Sequence, residues 1–167
     1  MKSIIIVGGG NAAYISALIL KTRFSDLKIT IIKSEKIGTI GVGEGSTEQW
    51  SVFCDFVGIN YLDLLKECSA TFKYGVHFKN WTKNDYYHSI SPPISVPYGD
   101  CLAYCGYFIS KNYLQKNTIQ KVFRDNKIPL NFSQPTAQFH FDSNKLNSFL
   151  MTKCKNKGII VKNDEIV

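Results

Sequence analysis

Residues 3–13, SIIIVGGGNAA, join a short β-branched run to three consecutive glycines. Residues 13–24 continue with apolar side chains at helical spacing, and residues 27–32 (LKITII) form a second run that is typical of a buried strand. A strand, a tight turn, a helix and a second strand in this order predict a βαβ unit with its two strands parallel in one sheet. We therefore predict an α/β fold of the Rossmann-like type.

The turn between the first strand and the helix fits the fingerprint G-x-G-x-x-G/A, with Gly8, Gly10 and Ala13 at its three fixed positions. In this motif the first glycine makes the turn, the second lets the backbone approach a pyrophosphate, and the small third residue allows close helix–strand packing. Asn11 and Ala12 complete the segment, and the helix N-terminus faces the phosphates. Residues 8–13, called the glycine turn below, predict a dinucleotide site but do not separate FAD from NAD.

The acidic residue that usually ends the second strand and binds the ribose is displaced in this sequence. Lys33 stands at the expected place, and Glu35 follows in the loop. Three interpretations remain open. In the first, Glu35 binds the ribose from the loop. In the second, the ribose is held in another way, and in the third Lys33 binds a phosphorylated ribose such as that of NADP.

A second glycine-rich segment, GTIGVGEGS, spans residues 38–46. Its glycines leave backbone amides unshielded, and Ile40 and Val42 alternate with them, which is uncommon in a flexible linker. We predict that this segment, called the strap below, is ordered and contacts a cofactor. Residues 46–57 then predict a helix with Ser46 or Thr47 as its N-cap.

Residues 70–81, ATFKYGVHFKNW, alternate in the manner of a strand, with Phe72 and Val76 on one face and Lys73 and His77 on the other. By itself this pattern indicates only a half-buried strand with a solvated lysine.

The C-terminal half of the sequence begins with residues 84–106, which are rich in Pro, Tyr and Ser and predict a long irregular insertion. Residues 137–141 alternate again as a strand would. Asp142 is the expected N-cap of a helix that follows, Gly158 is its expected C-terminal glycine, and another strand begins just after it.

Length, charge and cysteine content narrow the class of protein. The chain has 167 residues, a net charge of +7 and five cysteines. The length suits one domain, and the scattered lysines argue against a nucleic-acid partner. An odd number of cysteines without C-x-x-C spacing favours free thiols in a reducing cytosol over zinc, so we predict no metal. Because every apolar run is too short for a signal peptide or a membrane span, we expect a cytoplasmic protein without membrane contact.

Four segments together resemble the flavin-dependent halogenases of the tryptophan halogenase type. They are GGGNAA (8–13), IGTIGVGEGS (37–46), ECSATFKYGVHFKNW (67–81) and FHFD (139–142). Their order and spacing are those of the family. The resemblance covers essentially the whole chain, but only about the N-terminal third of a typical member.

The resemblance implies a FAD-binding βαβ fold of the flavin monooxygenase type, here truncated, with residues 1–167 as one partial FAD-binding/halogenase domain. It implies FAD, delivered as FADH2 by a separate and transiently bound flavin reductase, with dioxygen and a halide as co-substrates. It also implies a small aromatic substrate, of the tryptophan or indole class, and a homodimer is compatible with it. Hypohalous acid then reaches a lysine, which matches Lys73 and which either forms a haloamine or polarises the acid by a hydrogen bond.

The strap matches the family segment that joins the flavin site to the halogenation site, so Val42, Gly43 and Glu44 are its candidate residues. The family signature W-x-W-x-I-P is not present, and Trp50 and Trp81 stand in other contexts. We therefore expect the isolated chain to be incomplete and inactive alone. The alternatives are another FAD- or NAD(P)-dependent oxidoreductase or monooxygenase with a structural lysine, and a non-catalytic nucleotide-binding fragment.

Overall fold

The predicted βαβ unit is present at the N-terminus, where two parallel strands flank one helix. The computed structural model describes residues 2–38, 40–41, 43–47, 49–73, 75–81, 83, 85–89 and 138–165. The described elements, in chain order, are β1 (Ser3–Val7), α1 (Asn11–Arg23), β2 (Lys28–Lys33), β3 (Glu44–Gly45), α2 (Gln49–Val57), α3 (Tyr61–Glu67), β4 (Thr71–Phe72), β5 (Gly75–Phe78), β6 (Tyr86–Ser89), β7 (Phe139–Phe141), α4 (Ser143–Asn156) and β8 (Ile160–Asn163).

A three-stranded parallel sheet with the order β1-β2-β8 carries the first unit of the chain. Helices α1 and α4 pack against each other and against this sheet. Ile29 and Ile31 of β2 are buried, whereas Ile5 and Val7 of β1 are 64% and 65% exposed. Because Ile5 pairs with Thr30, it lies on the sheet face opposite Ile29 and Ile31. The two helices therefore cover one face of the sheet.

Helix α4 begins and ends where the sequence predicts. The Asp142 carboxylate accepts hydrogen bonds from the amides of Asn144 and Lys145, both at 3.0 Å, which makes Asp142 the N-cap. Gly158 has a φ of +74°, the left-handed conformation that glycine adopts without strain at a helix C-terminus. The helix is thus fixed at both ends and returns the chain to the parallel sheet through β8.

A small antiparallel sheet with the order β3-β7-β4 lies in the same unit. Its central strand, β7, pairs with Glu44 and Gly45 on one side and with Thr71 and Phe72 on the other. The ring of Phe141 lies 5.0 Å from that of Trp50 in α2, so the sheet packs on this helix through aromatic contacts. This sheet orders the end of the strap.

The single alternating strand predicted over residues 70–81 is wrong. The segment is divided into β4 and β5, which belong to different sheets, and Lys73 follows the end of β4. The Phe72 side chain is 48% exposed and Val76 is 40% exposed, so the apolar positions do not form one buried face. Local alternation could not reveal this division, since β7, the partner strand of β4, lies far along the chain.

The irregular insertion predicted over residues 84–106 is wrong in its first part, since β6 pairs with β5 as an antiparallel hairpin. At the turn Asn80 adopts a φ of +57°, and its amide donates to the Asp85 carboxylate at 3.0 Å. His77 Nε2 lies 3.8 Å from the Asp85 carboxylate. The aromatic residues that suggested an excursion are also good strand formers. Residues 90–106 lie outside the described part of the chain.

The chain divides into two compact units. One comprises Met1–Phe72 with Phe139–Val167, and the other comprises Lys73–Gln138. Within the described residues of the second unit, the β5–β6 hairpin is the regular structure. The parallel sheet, the strap and the glycine turn all belong to the first unit.

The described cysteines are free and buried thiols, as predicted: Cys54, Cys68 and Cys154. Burial raises the pKa of each of these thiols to about 12. Cys101 and Cys105 lie outside the described residues. In the described part of the chain, no cluster of three or more His, Cys, Asp and Glu residues could hold a metal ion. None of the described helices is both long and apolar enough to span a membrane.

Candidate functional site

The glycine turn has the backbone geometry that its fingerprint requires. The Gly8 amide donates to the carbonyl of Ile32 at 2.8 Å, and Gly8 has a φ of +120°, which residues other than glycine rarely adopt. Gly10 is the N-cap of α1 in an extended conformation, and it brings no side-chain oxygen to the helix N-terminus. Because the first turn of α1 also contains no acidic residue, its amides and its partial positive charge suit an anionic ligand.

The three glycines of the turn differ in whether the chain itself requires a glycine. Gly8 is required by its positive φ. Gly9 is required by packing, because a Cβ there would lie 2.5 Å from the Cβ of Lys33. A Cβ on Gly10 would have no described heavy atom within 4 Å, and its φ of −78° suits any residue. The chain's own packing therefore does not demand a glycine at position 10, whereas a pyrophosphate approaching the backbone would.

The loop after β2 brings Lys33 and Glu35 together. Lys33 Nζ lies 3.6 Å from the Glu35 carboxylate, whose side chain is 67% exposed. The Glu35 amide donates to the Asn163 side-chain oxygen at 3.1 Å, which ties the loop to the end of β8. An acidic side chain thus follows the carboxyl end of β2, where parallel sheets bind nucleotides.

The strap is joined to the glycine turn by side-chain hydrogen bonds. Asn11 Nδ2 donates to both oxygens of the Glu44 carboxylate, at 3.1 and 3.2 Å. Glu44 and Gly45 form β3 on the edge of the small sheet, so this part of the strap has regular structure. A Cβ on Gly43 would lie 3.6 Å from the Phe141 carbonyl oxygen, and Val42 lies outside the described residues. Asn11 and Glu44, predicted as separate candidates, are in direct contact.

Helix α4 supplies two contacts that the sequence did not reveal. Asn147 Nδ2 donates to the Gly9 carbonyl at 2.9 Å and to Asn11 Oδ1 at 3.1 Å. A Cβ on Gly41 would lie 2.9 Å from the Cβ of Ser143, so the strap packs directly on the first turn of α4. The helical spacing of Ser143 and Asn147 places them on one face, but only the fold shows that this face meets the turn and the strap.

Ser46, one of the two predicted N-caps of α2, does not cap this helix. Its hydroxyl accepts a hydrogen bond from the Phe139 amide at 2.9 Å, and its amide donates to the Phe139 carbonyl at 2.8 Å. Helix α2 begins at Gln49, and the carbonyl of Thr47 accepts from the Trp50 amide at 3.1 Å. The Ser46 hydroxyl therefore holds the end of the strap against β7.

Lys73, the candidate catalytic residue, follows β4 and is half-buried. Its backbone amide donates to the Gln138 carbonyl at 2.8 Å. Both residues belong to the unit formed by residues 73–138. The backbone of the lysine is thereby fixed at the point where the chain leaves β4, as a positioned reactive amine would require.

Replacing Gly41 by alanine should lower the free energy of unfolding by about 1–3 kcal/mol, the usual cost of forcing a methyl group into a packed contact. The new Cβ would meet Ser143 Cβ at 2.9 Å and Ser143 Oγ at 3.0 Å. Urea unfolding followed by circular dichroism measures the loss. The loss of unfolding free energy caused by Gly41→Ala should be much smaller in a Ser143→Gly background, which lacks both contacting atoms. In a Ser143→Ala background, which keeps the Cβ, most of the loss should remain. Equal losses in all three backgrounds would contradict the contact.

Comparison with known proteins decides the family. A family model described as tryptophan halogenase matches residues 3–167. The chain belongs to the tryptophan halogenase family. It is 26% identical over 196 residues to the tryptophan 6-halogenase SttH of Streptomyces toxytricini, covering 98% of this chain and 38% of that enzyme. It is 45% identical over 78 residues to the 7-chloro-L-tryptophan 6-halogenase KtzR of Kutzneria sp. (strain 744), covering 46% of this chain and 15% of that enzyme.

Solved structures of family members have the same fold. The crystal structure of SttH matches 100% of this chain and 36% of its own chain, with a TM-score of 0.82 and 26% identity. A tryptophan C-6 flavin-dependent halogenase (chlorinase) of taromycin biosynthesis matches with a TM-score of 0.80 and 25% identity, over 100% of this chain and 37% of its own. The chain therefore has the N-terminal part of a Rossmann-like halogenase fold and spans little more than a third of these relatives.

Proposed function

We propose that residues 1–167 form the FAD-binding N-terminal part of a flavin-dependent halogenase that acts on a small aromatic substrate, with tryptophan or another indole as the first candidate. The observation that carries the proposal is the pair of hydrogen bonds from Asn11 to Glu44. These bonds join a dinucleotide fingerprint to the strap that matches the family's link between flavin and halogenation site. The membership of the tryptophan halogenase family supports halogenation as the proposed reaction class.

The residues of the glycine turn fit FAD. Gly8 and Gly10 leave the backbone accessible, and the amides of Asn11, Ala12 and Ala13 lie at the N-terminus of α1. The amides of Asn11 and Ala12 would donate hydrogen bonds to the pyrophosphate, which the helix dipole also favours. The Ala13 amide donates to the Gly10 carbonyl at 3.0 Å, so Ala13 would contribute through its small side chain, which allows close helix–strand packing. Glu35, exposed at the carboxyl end of β2, would accept hydrogen bonds from the ribose hydroxyls.

The strap would border the flavin ring, with Val42, Gly43 and Glu44 as the contacting residues. Bound FADH2, delivered by a separate reductase, would supply the electrons with which dioxygen and a halide yield hypohalous acid. The protein's own contribution there is to hold the strap in place, which β3 and the Asn11–Glu44 contact do. An ordered wall excludes water from a reactive oxidant.

Lys73 would act on the hypohalous acid. As an ammonium it donates a hydrogen bond to the oxygen of the acid and makes the halogen more electrophilic. As a neutral amine it attacks the halogen, so that an N–halogen bond forms and the oxygen leaves as hydroxide. The halogen then passes to an electron-rich carbon of the aromatic substrate, which loses a proton.

Two other functions remain as alternatives. A different FAD- or NAD(P)-dependent oxidoreductase would use the same glycine turn with Lys73 as a structural residue. A non-catalytic nucleotide-binding fragment would bind the cofactor without turnover. The Glu35 carboxylate, 3.6 Å from Lys33 Nζ, would repel the negative charge of a ribose phosphate, which favours FAD over NADP.

The purified 167-residue chain should bind FAD, with an affinity at least about ten-fold tighter than for NADPH. Isothermal titration calorimetry with FAD, NADH and NADPH measures this directly. Circular dichroism on the same sample establishes that the chain is folded. Tighter binding of NADPH would favour the other oxidoreductase class, and a folded chain that binds none of the three would favour a fragment without a cofactor function.

A further inference from the structure

We propose that Asn147 of α4 is a positioning residue of the dinucleotide site, which orients Asn11 and thereby joins the glycine turn to the strap. The side-chain amide of Asn147 donates to the Gly9 carbonyl at 2.9 Å and to Asn11 Oδ1 at 3.1 Å. Asn11 in turn donates to the Glu44 carboxylate. This chain of hydrogen bonds, Asn147 to Asn11 to Glu44, is called the amide relay below. The inference rests on the proposed binding of FAD.

The donors and acceptors of the amide relay fix its direction. An amide nitrogen carries two hydrogens and accepts none, and both hydrogens of Asn147 are directed at oxygen atoms. Asn11 must therefore present its oxygen to Asn147, which leaves its nitrogen for Glu44. If the Asn11 amide were rotated by half a turn, nitrogen would face nitrogen at Asn147 and oxygen would face the carboxylate at Glu44. Both contacts would be repulsive, so Asn147 and Glu44 favour the same orientation of Asn11.

The position of Asn147 in the fold makes it suited to this role. It lies on α4, which is capped by Asp142 and ends at Gly158, so its backbone is held independently of the glycine turn. Its side chain is half-buried and reaches the Gly9 carbonyl, the atom directly before Gly10 in the turn. Asn147 is thus placed to set the path of the backbone that a pyrophosphate would approach.

The neighbouring Ser148 provides a matched control. It is exposed, and its hydroxyl donates to the Asn144 carbonyl of the same helix at 3.0 Å. Replacing Ser148 or Asn147 by alanine makes a similar change of helix propensity, because alanine is the best helix former. Only the Asn147 variant breaks contacts with the glycine turn.

Asn147→Ala should weaken FAD binding about ten-fold or more, since two hydrogen bonds that orient the turn are lost. Asn147→Asp should weaken it further, because a carboxylate would face the Gly9 carbonyl and Asn11 Oδ1 without donors. Ser148→Ala should leave the affinity within about two-fold. A structural role alone would lower the unfolding midpoint without changing the affinity of the folded chain. Unchanged affinity in both Asn147 variants would overturn the inference while leaving FAD binding intact.

A double-mutant cycle with Glu44→Ala tests whether the contacts act as one relay. Asn147→Ala should weaken binding by less than about three-fold when Glu44 is already removed, because coupled residues are not additive. If Asn147→Ala weakened FAD binding equally in the wild type and in Glu44→Ala, the two residues would act separately and the amide relay would be contradicted.

Hydrogen exchange of the ligand-free chain, followed by mass spectrometry, tests the relay without any cofactor. Asn147→Ala should speed exchange in peptides that contain residues 8–13 and 44–45, while the parallel strand β8 stays protected. If the wild-type chain binds no FAD but shows this pattern, the proposed function fails and the positioning of the turn by Asn147 stands. If exchange in these peptides does not change, the inference fails whatever the chain binds.

Discussion

Replacing Lys73 by alanine should abolish formation of halogenated product and leave FAD binding within about two-fold of the wild type. We expect product formation to fall by about a thousand-fold, the scale on which removal of a reacting or proton-donating side chain acts. The assay uses the protein in the full length in which it occurs, with a flavin reductase, FAD, NADH, bromide and tryptophan. The product is measured by mass spectrometry.

Two further variants separate the possible roles of this lysine. Lys79→Ala changes an exposed lysine of the same segment and should leave product formation unchanged. Lys73→Arg keeps the charge and the hydrogen-bond donors but offers no readily deprotonated amine. Activity retained by the arginine variant would favour the hydrogen-bond role, and its loss would favour the haloamine. Product that survives Lys73→Ala would contradict the assignment of Lys73.

The second large effect is expected at Gly10, where stability and binding should change in opposite directions. Asp at this N-cap accepts hydrogen bonds from the first amides of α1 and favours the helix dipole, so Gly10→Asp should stabilise the chain by about 0.5 kcal/mol. The same carboxylate occupies those amides and repels a pyrophosphate. FAD affinity should therefore fall by about a hundred-fold or more. Thermal unfolding and calorimetric titration measure the two effects.

Gly10→Asn is the matched control for this variant. It adds a Cβ and a capping oxygen of similar size without the charge, and should reduce FAD affinity by about ten-fold. Gly10 has an extended backbone, and a Cβ there would have no described heavy atom within 4 Å, so neither substitution strains the backbone or crowds the Cβ. If Gly10→Asp bound FAD as the wild type does, the pyrophosphate could not lie at the N-terminus of α1.

The features that the sequence predicted well are those that depend on neighbouring residues. The βαβ order, the cap at Asp142 and the left-handed Gly158 each follow from interactions within a few positions, and the structure has all three. The family follows from four short segments whose spacing is read directly from the chain. Local physics and motif order were sufficient for these.

The features that the sequence missed depend on partners far along the chain. The division of residues 70–81 arises because β4 pairs with the distant strand β7, which separates it from the local hairpin of β5 and β6. The contact of Asn147 with the glycine turn joins residues separated by more than a hundred positions. Neither leaves a periodic pattern, since an asparagine on a helix surface looks the same whether it meets solvent or a loop.

Halogenation is tested most directly by the mass of the product that the wild-type protein forms with and without bromide. We expect a tryptophan or indole product that carries one bromine, recognised by its two isotopic peaks. This product should require bromide, FAD and dioxygen together. An oxidised aromatic product that forms equally well without halide would contradict halogenation and favour a different flavin-dependent oxidoreductase.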